Sequence, residues 1–106
     1  MSERRKAKLD RLIEDATVDA YGPAEQATGF YTMIEENVEF PFPAKAVGED
    51  VEVVGVDIDK EGESLVAKCR RKGRTYSVLL TEMEFPKRFP GRDWIAAYFQ
   101  YQGREL

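Results

Sequence analysis

The sequence predicts an α+β protein, an N-terminal αα-hairpin packed on a small antiparallel sheet with a helix at the C-terminal end. Three observations predict it. Apolar residues recur at helical spacing up to about residue 36, alternate with a period of two from Ala44 to Leu80, and return to helical spacing after Asp93. Two proline-punctuated breaks, Phe40-Pro41-Phe42-Pro43 and Phe85-Pro86-Lys87-Arg88-Phe89-Pro90, separate the three regions. At 106 residues, 42% of them hydrophobic, the chain can bury one modest core, so a single domain over 1–106 is expected rather than disorder.

In the first helix, Leu9, Leu12, Ile13, Ala16 and Ala20 form one stripe. Its first turn is basic, the wrong sign for the positive end of a helix dipole, so residues 1–6 are expected to fray. Tyr21-Gly22-Pro23 stops it, because glycine suits a position past a helix end and proline suits the first turn of the next. The second helix is expected from Pro23 to Glu36, with Ala24, Ala27, Tyr31 and Ile34 on its stripe and Phe30 and Met33 beside it. So short a connection favours an αα-hairpin.

The β region follows. Val51 to Ile58 is rich in β-branched residues, and Leu65, Ala67 and Cys69 alternate with Val66, Lys68 and Arg70. Asp59-Lys60-Glu61-Gly62 and Lys72-Gly73 read as turns, and Tyr76, Val78 and Leu80 continue the alternation. Three to five hairpin-linked strands form either an open meander or, since it is long enough to curl, a small SH3-like barrel. In the last helix Asp93 takes the favourable acidic position, Trp94, Ala97, Tyr98 and Tyr101 form the buried stripe, and Gly103 ends it.

Composition then narrows the chemistry. No apolar run approaches the length of a membrane span, and no signal-like apolar stretch follows the basic N-terminus, so an unprocessed cytoplasmic protein is expected. One cysteine, Cys69, cannot form an internal disulfide. The chain has no histidine, which removes the Ser-His and Cys-His nucleophile systems and the usual zinc and haem ligand sets. A net charge of −4 hides strong segregation: residues 12–66 carry fourteen acids against two bases, and residues 67–80 carry five bases and no acid.

Within the acidic stretch, Glu35, Glu36, Asn37 and Glu39 gather at the expected end of the second helix, where the dipole is negative and carbonyls are unpaired. Carboxylates are unfavourable there unless a positive charge compensates. Two readings stand: a solvated acidic helix end, or a site for a hard cation such as calcium, which takes six to eight oxygens. Asp19, at the end of the first helix, is expected near the same region. A weaker second candidate is Asp57, Asp59 and Glu61, which with Gly62 copy the first half of an EF-hand loop. Lys68 stands where the bidentate glutamate should be, and strands flank the segment, so it is not an EF-hand. A charged hairpin tip is the favoured reading there, a looser calcium site the alternative. Arg70-Arg71-Lys72-Gly73-Arg74 is a basic tip without an aromatic ladder or recognition helix, which disfavours nucleic acid as a partner.

The run Asp19-Ala20-Tyr21-Gly22-Pro23-Ala24-Glu25-Gln26, then Gly29-Phe30-Tyr31-Thr32-Met33-Ile34-Glu35-Glu36-Asn37 and Phe40-Pro41-Phe42, resembles the CcbP-type small calcium-binding proteins over roughly residues 10–80. Ile34 stands where leucine is usual, and Pro23 where an acid is frequent. The resemblance implies reversible calcium binding by an acidic protein that buffers, sequesters or regulates the ion without catalysis. Its matching acids are Asp19, Glu25, Glu35 and Glu36, with Asn37 adjacent. The competing reading is a metal-free, SH3-like interaction module for a protein partner; an enzyme ranks third, since so short a chain leaves little room for a deep cleft.

Overall fold

The structure, a computed structural model, describes residues 2–106. Helices α1 (Glu3–Thr17) and α2 (Pro23–Asn37) are followed by strands β1 (Phe42–Ala46), β2 (Glu49–Ile58), β3 (Leu65–Arg71) and β4 (Arg74–Leu79). A 3-10 turn (Leu80–Glu82) leads into β5 (Met83–Glu84), and α3 (Arg92–Tyr101) closes the order. The α+β class and the αα-hairpin expected from the sequence are present, and the described part of the chain has no helix long and apolar enough to cross a membrane.

Alternation fixes which face of the sheet is buried. Phe42, Ala44 and Ala46 of β1 point inward with Val51 and Val53 of β2 and Leu65, Ala67 and Cys69 of β3, while their neighbours point out. Phe30 and Ile34 of α2 and Ile95, Tyr98 and Phe99 of α3 complete the same cluster, with Leu9 and Ala16 from α1. The two proline breaks contribute as well: Phe42 stacks on Phe89 at 4.4 Å between ring centres, and Phe85 meets Phe99 edge-on at 6.0 Å. Tyr98 is buried with its hydroxyl accepting the Leu65 amide, so its polar end is satisfied inside the core.

Of the two forms left open by the sequence, the SH3-like closure is not seen. The sheet is open, ordered β4-β3-β2-β1-β5, with every paired neighbour antiparallel. The physical reason is that helices cover its apolar face, so burial does not require the sheet to curl onto itself. The strand that might have closed it, β5, has two residues and pairs with β1 instead of β4.

The start of α1 also differs from expectation. The helix begins at Glu3, where the basic turn led us to expect regular helix only from about Ala7. Two contacts explain it: the Ser2 hydroxyl caps the Arg5 amide at 3.1 Å, and Asp93 of α3 pairs with both Arg5 and Lys8. Close approach sets the rest of the helical layer. Gly29 of α2 lies against the Ala16 backbone, where a Cβ would overlap the carbonyl oxygen. Gly91, at φ 87° before α3, lies against the backbone of Asn37 and Val38 at the end of α2.

Candidate functional site

The candidate acids at the end of α2 do not share one face. Successive helical residues turn by about 100°, so Glu35 and Asn37 project about 200° apart, with Glu36 between them and away from the buried Ile34. The fold gives the two flanks opposite surroundings. On one, the Tyr31 hydroxyl donates to Glu35 Oε1 at 3.2 Å. The charge of Glu35 raises the Tyr31 phenol above its ordinary pKa, helped by desolvation, by that hydrogen bond and by the charge of Asp57. Glu35 is thus the main charge at that hydroxyl, and Asp57 of β2 adds the smallest share.

The other flank is basic. Asn37 Nδ2 donates to Met33 O at 2.8 Å, and the residue lines a cavity whose walls include Arg5, Lys8, Arg88 and Arg92. Positive charge beside that part of the helix end comes from the protein itself. Glu36 and Glu39 are exposed and have no hydrogen-bond or ion-pair partner among the described residues.

Asp19 departs from the expectation that it would approach this region. It precedes α2, whereas Glu35 to Glu39 follow or end it, and 15 helical residues span about 20 Å. It sits at φ 57° in the α1–α2 connection, exposed, and shares a shallow cavity with Glu25, whose carboxylate accepts the Tyr21 amide at 2.9 Å. The matching acids thus divide between the two ends of one helix.

The β2–β3 turn has a structure of its own. Asp59 Oδ1 accepts the amides of Glu63 and Ser64 at 3.1 and 3.2 Å, and the Gly62 amide donates to Asp59 O. One oxygen of Asp59 is thereby committed to the turn, and Asp57 Oδ1 accepts its neighbour's amide, Ile58 N, at 2.8 Å. Glu61 is exposed. The segment is the turn of the β2–β3 hairpin.

Calcium chemistry can be tested against these donors. Carboxylates, an amide and helix-end carbonyls are the hard oxygens that calcium takes. Among the described residues, however, no three acids converge closely enough to form a metal cage as they stand. The donor type fits and the side-chain arrangement is loose.

A family model described as calcium binding, of CcbP type, matches residues 10–101. The chain belongs to the CcbP calcium-binding family. The match extends beyond the residues that carried the resemblance in the sequence, into α3. Among solved structures, the crystal structure of Anabaena CcbP superposes with a TM-score of 0.74 at 22% identity, covering 100% of this chain and 96% of that one. A calcium binding protein in its calcium-binding form gives a TM-score of 0.75 at 24% identity, covering all of both chains. No curated protein matches. At these identities the superpositions establish a shared fold, and calcium belongs to the family as a whole.

Sequence reasoning missed the role of Tyr31, which it placed only on a buried stripe. Its i, i+4 spacing to Glu35 was the available signal, since residues so spaced meet on a helix surface. That the charge of Asp57 is felt at Tyr31 at all depends on the packing of α2 on β2, which no local pattern encodes.

Proposed function

We propose that this protein binds calcium reversibly at the C-terminal end of α2 and the adjoining part of β2, acting as a cytoplasmic calcium buffer or regulator without catalysis. Glu35, Glu36 and Glu39 supply carboxylates from the helix end and Asp57 supplies one from the sheet. The reading is supported by the calcium-binding family match and by the electrostatic field at Tyr31, to which Glu35 contributes most and Asp57 least. The negative end of the helix dipole adds to that field. Because the acids stand apart, water completes the coordination and the site is adaptable rather than rigid, a property that suits reversible exchange. Asn37 on its basic flank and Asp19 at the far end of α2 are outside this set. The turn acids Asp59 and Glu61 form a weaker second site.

Calorimetric titration with calcium, followed by magnesium, tests the reading. A saturable calcium heat is expected, with a rise in folding stability of about 2.7 kcal/mol once the free ion reaches a hundred times its dissociation constant. Glu36→Lys and Asp57→Asn should each weaken binding more than Glu61→Lys. A larger loss from Glu61→Lys would move the site to the β2–β3 turn. Millimolar calcium that changes neither heat nor melting would refute calcium binding by this member.

A further inference from the structure

We propose that the cavity between α1, the 87–92 loop and α3 binds a small phosphate-bearing molecule, at a site distinct from the calcium site. Arg5 and Lys8 of α1, Lys87 and Arg88 of the loop, and Arg92 of α3 line one cavity of about 740 Å³. That volume lies in the range of small-molecule sites. The chain as a whole is acidic, at −4, so five bases in one cavity run against its overall composition. Asp93 is the one acidic side chain in the lining. Leu106 lines it too; even with a terminal carboxylate counted there, three positive charges remain uncompensated.

Packing, not a local charge run, assembles this surplus. Arg5 and Lys8 are held on Asp93 at 2.5 and 2.8 Å, which fixes the two α1 cations toward the start of α3. Arg92 Nε donates to Pro86 O at 2.9 Å, and its guanidinium makes no ion pair among the described residues. Lys87 and Arg88 are exposed and have no ion-pair partner among the described residues. Bringing these like charges together costs electrostatic energy that a bound anion would offset. Arginine forks match phosphate oxygens in pairs, and the positive end of α3 opens at the same place. A diphosphate, with about three negative charges at neutral pH, balances the surplus better than a monocarboxylate does. Trp94, half-buried in the wall, offers a flat apolar surface beside the cations.

Trp94 is also the chain's single tryptophan, so its emission reports on this cavity alone. The full chain is titrated with inorganic pyrophosphate, ADP and adenosine in calcium-free, chelator-containing buffer, which makes the outcome independent of the metal reading. Pyrophosphate and ADP are expected to change Trp94 emission saturably at millimolar concentration or below, and adenosine is not. Tighter binding of ADP identifies a nucleotide-like ligand, and equal binding identifies a free polyphosphate. The Lys87→Glu, Arg88→Glu double variant, altered only at exposed positions, should keep its circular dichroism and bind roughly tenfold or more weakly. The proposal is overturned if neither phosphate compound gives a saturable emission change or calorimetric heat. It is equally overturned if adenosine binds as well as ADP, or if the double variant binds like the parent.

Discussion

Replacing Gly29 by alanine sets two known effects against each other. Gly29 lies inside α2, where propensity alone would make alanine more stable by about 1 kcal/mol. Against this, the new Cβ would overlap the carbonyl oxygen of Ala16 and crowd its carbonyl carbon. Those are backbone atoms in α1 and cannot rotate away, so the helices must part. Ala16 is buried and Phe30 follows Gly29 directly, so parting them loosens well-packed residues. Overpacking of this kind costs about 1–3 kcal/mol, and contact with backbone points to the upper end or beyond. After the propensity gain, a net loss of about 2 kcal/mol remains, a fall in melting temperature of about 10 °C for a chain of this size. Thermal unfolding by far-UV circular dichroism in chelator measures it. Thr28→Ala on the exposed neighbouring position serves as a control, expected within about 0.5 kcal/mol of the parent. If Gly29→Ala melted at or above the parent temperature, the close crossing of α1 and α2 would be wrong.

Two further expectations concern titratable groups. The hydrogen bond from Lys8 lowers the Asp93 carboxyl below its ordinary value, Arg5 acts in the same direction and partial burial opposes them. A depressed folded pKa gives stability that is present above the unfolded value and lost as pH falls through the folded one. Since the carboxylate is 33% exposed, screening limits the contribution, and Asp93→Asn should cost about 1 kcal/mol at pH 7. The difference between parent and variant should vanish in acid; a difference that persisted below pH 2, to about the same size, would contradict the linkage. Burial raises the Cys69 thiol, and the residue is fully enclosed, so disulfide reagents should modify it only as fast as the protein opens. Rapid labelling in the absence of denaturant would contradict its place in the core.

Much of the architecture was legible because period and punctuation agree. The Gly22-Pro23 start of α2 and the Gly103 terminus need only neighbours along the chain to take effect, whereas α1 ends at Thr17, short of the stop expected at Tyr21 and of Ala20 on its expected stripe. Alternation likewise announced β2 and β3, since a half-buried strand must show it. What escaped was decided by distant residues. The short β5 owes its existence to pairing with Lys45 and Ala46, and Asp93 stabilises a helix start from the other end of the sequence. The site was legible as chemistry and less so as geometry. The acids at the end of α2 were visible as a cluster, but the helix turns Glu35 to the Tyr31 hydroxyl and Asn37 toward the cations, and its length separates Asp19 from both. Whether the sheet closes was left open by the sequence because alternating strands do not say whether helices or other strands will cover them.

The pairing of Arg5 and Lys8 with Asp93 also has a kinetic side. Strands β1 to β4 each dock on the next one along the chain, so the sheet can zip up through short loops. The clasp of α1 on α3 instead joins residues 88 positions apart. Closing so long a loop costs more entropy, though the cost grows only logarithmically with length. The two ends of the chain therefore should meet late in folding and part early in native fluctuations, with α1 amides exchanging faster than those of β2 and β3. The basic cavity would then exist only while that clasp is shut, and an anion lodged there would act as its latch.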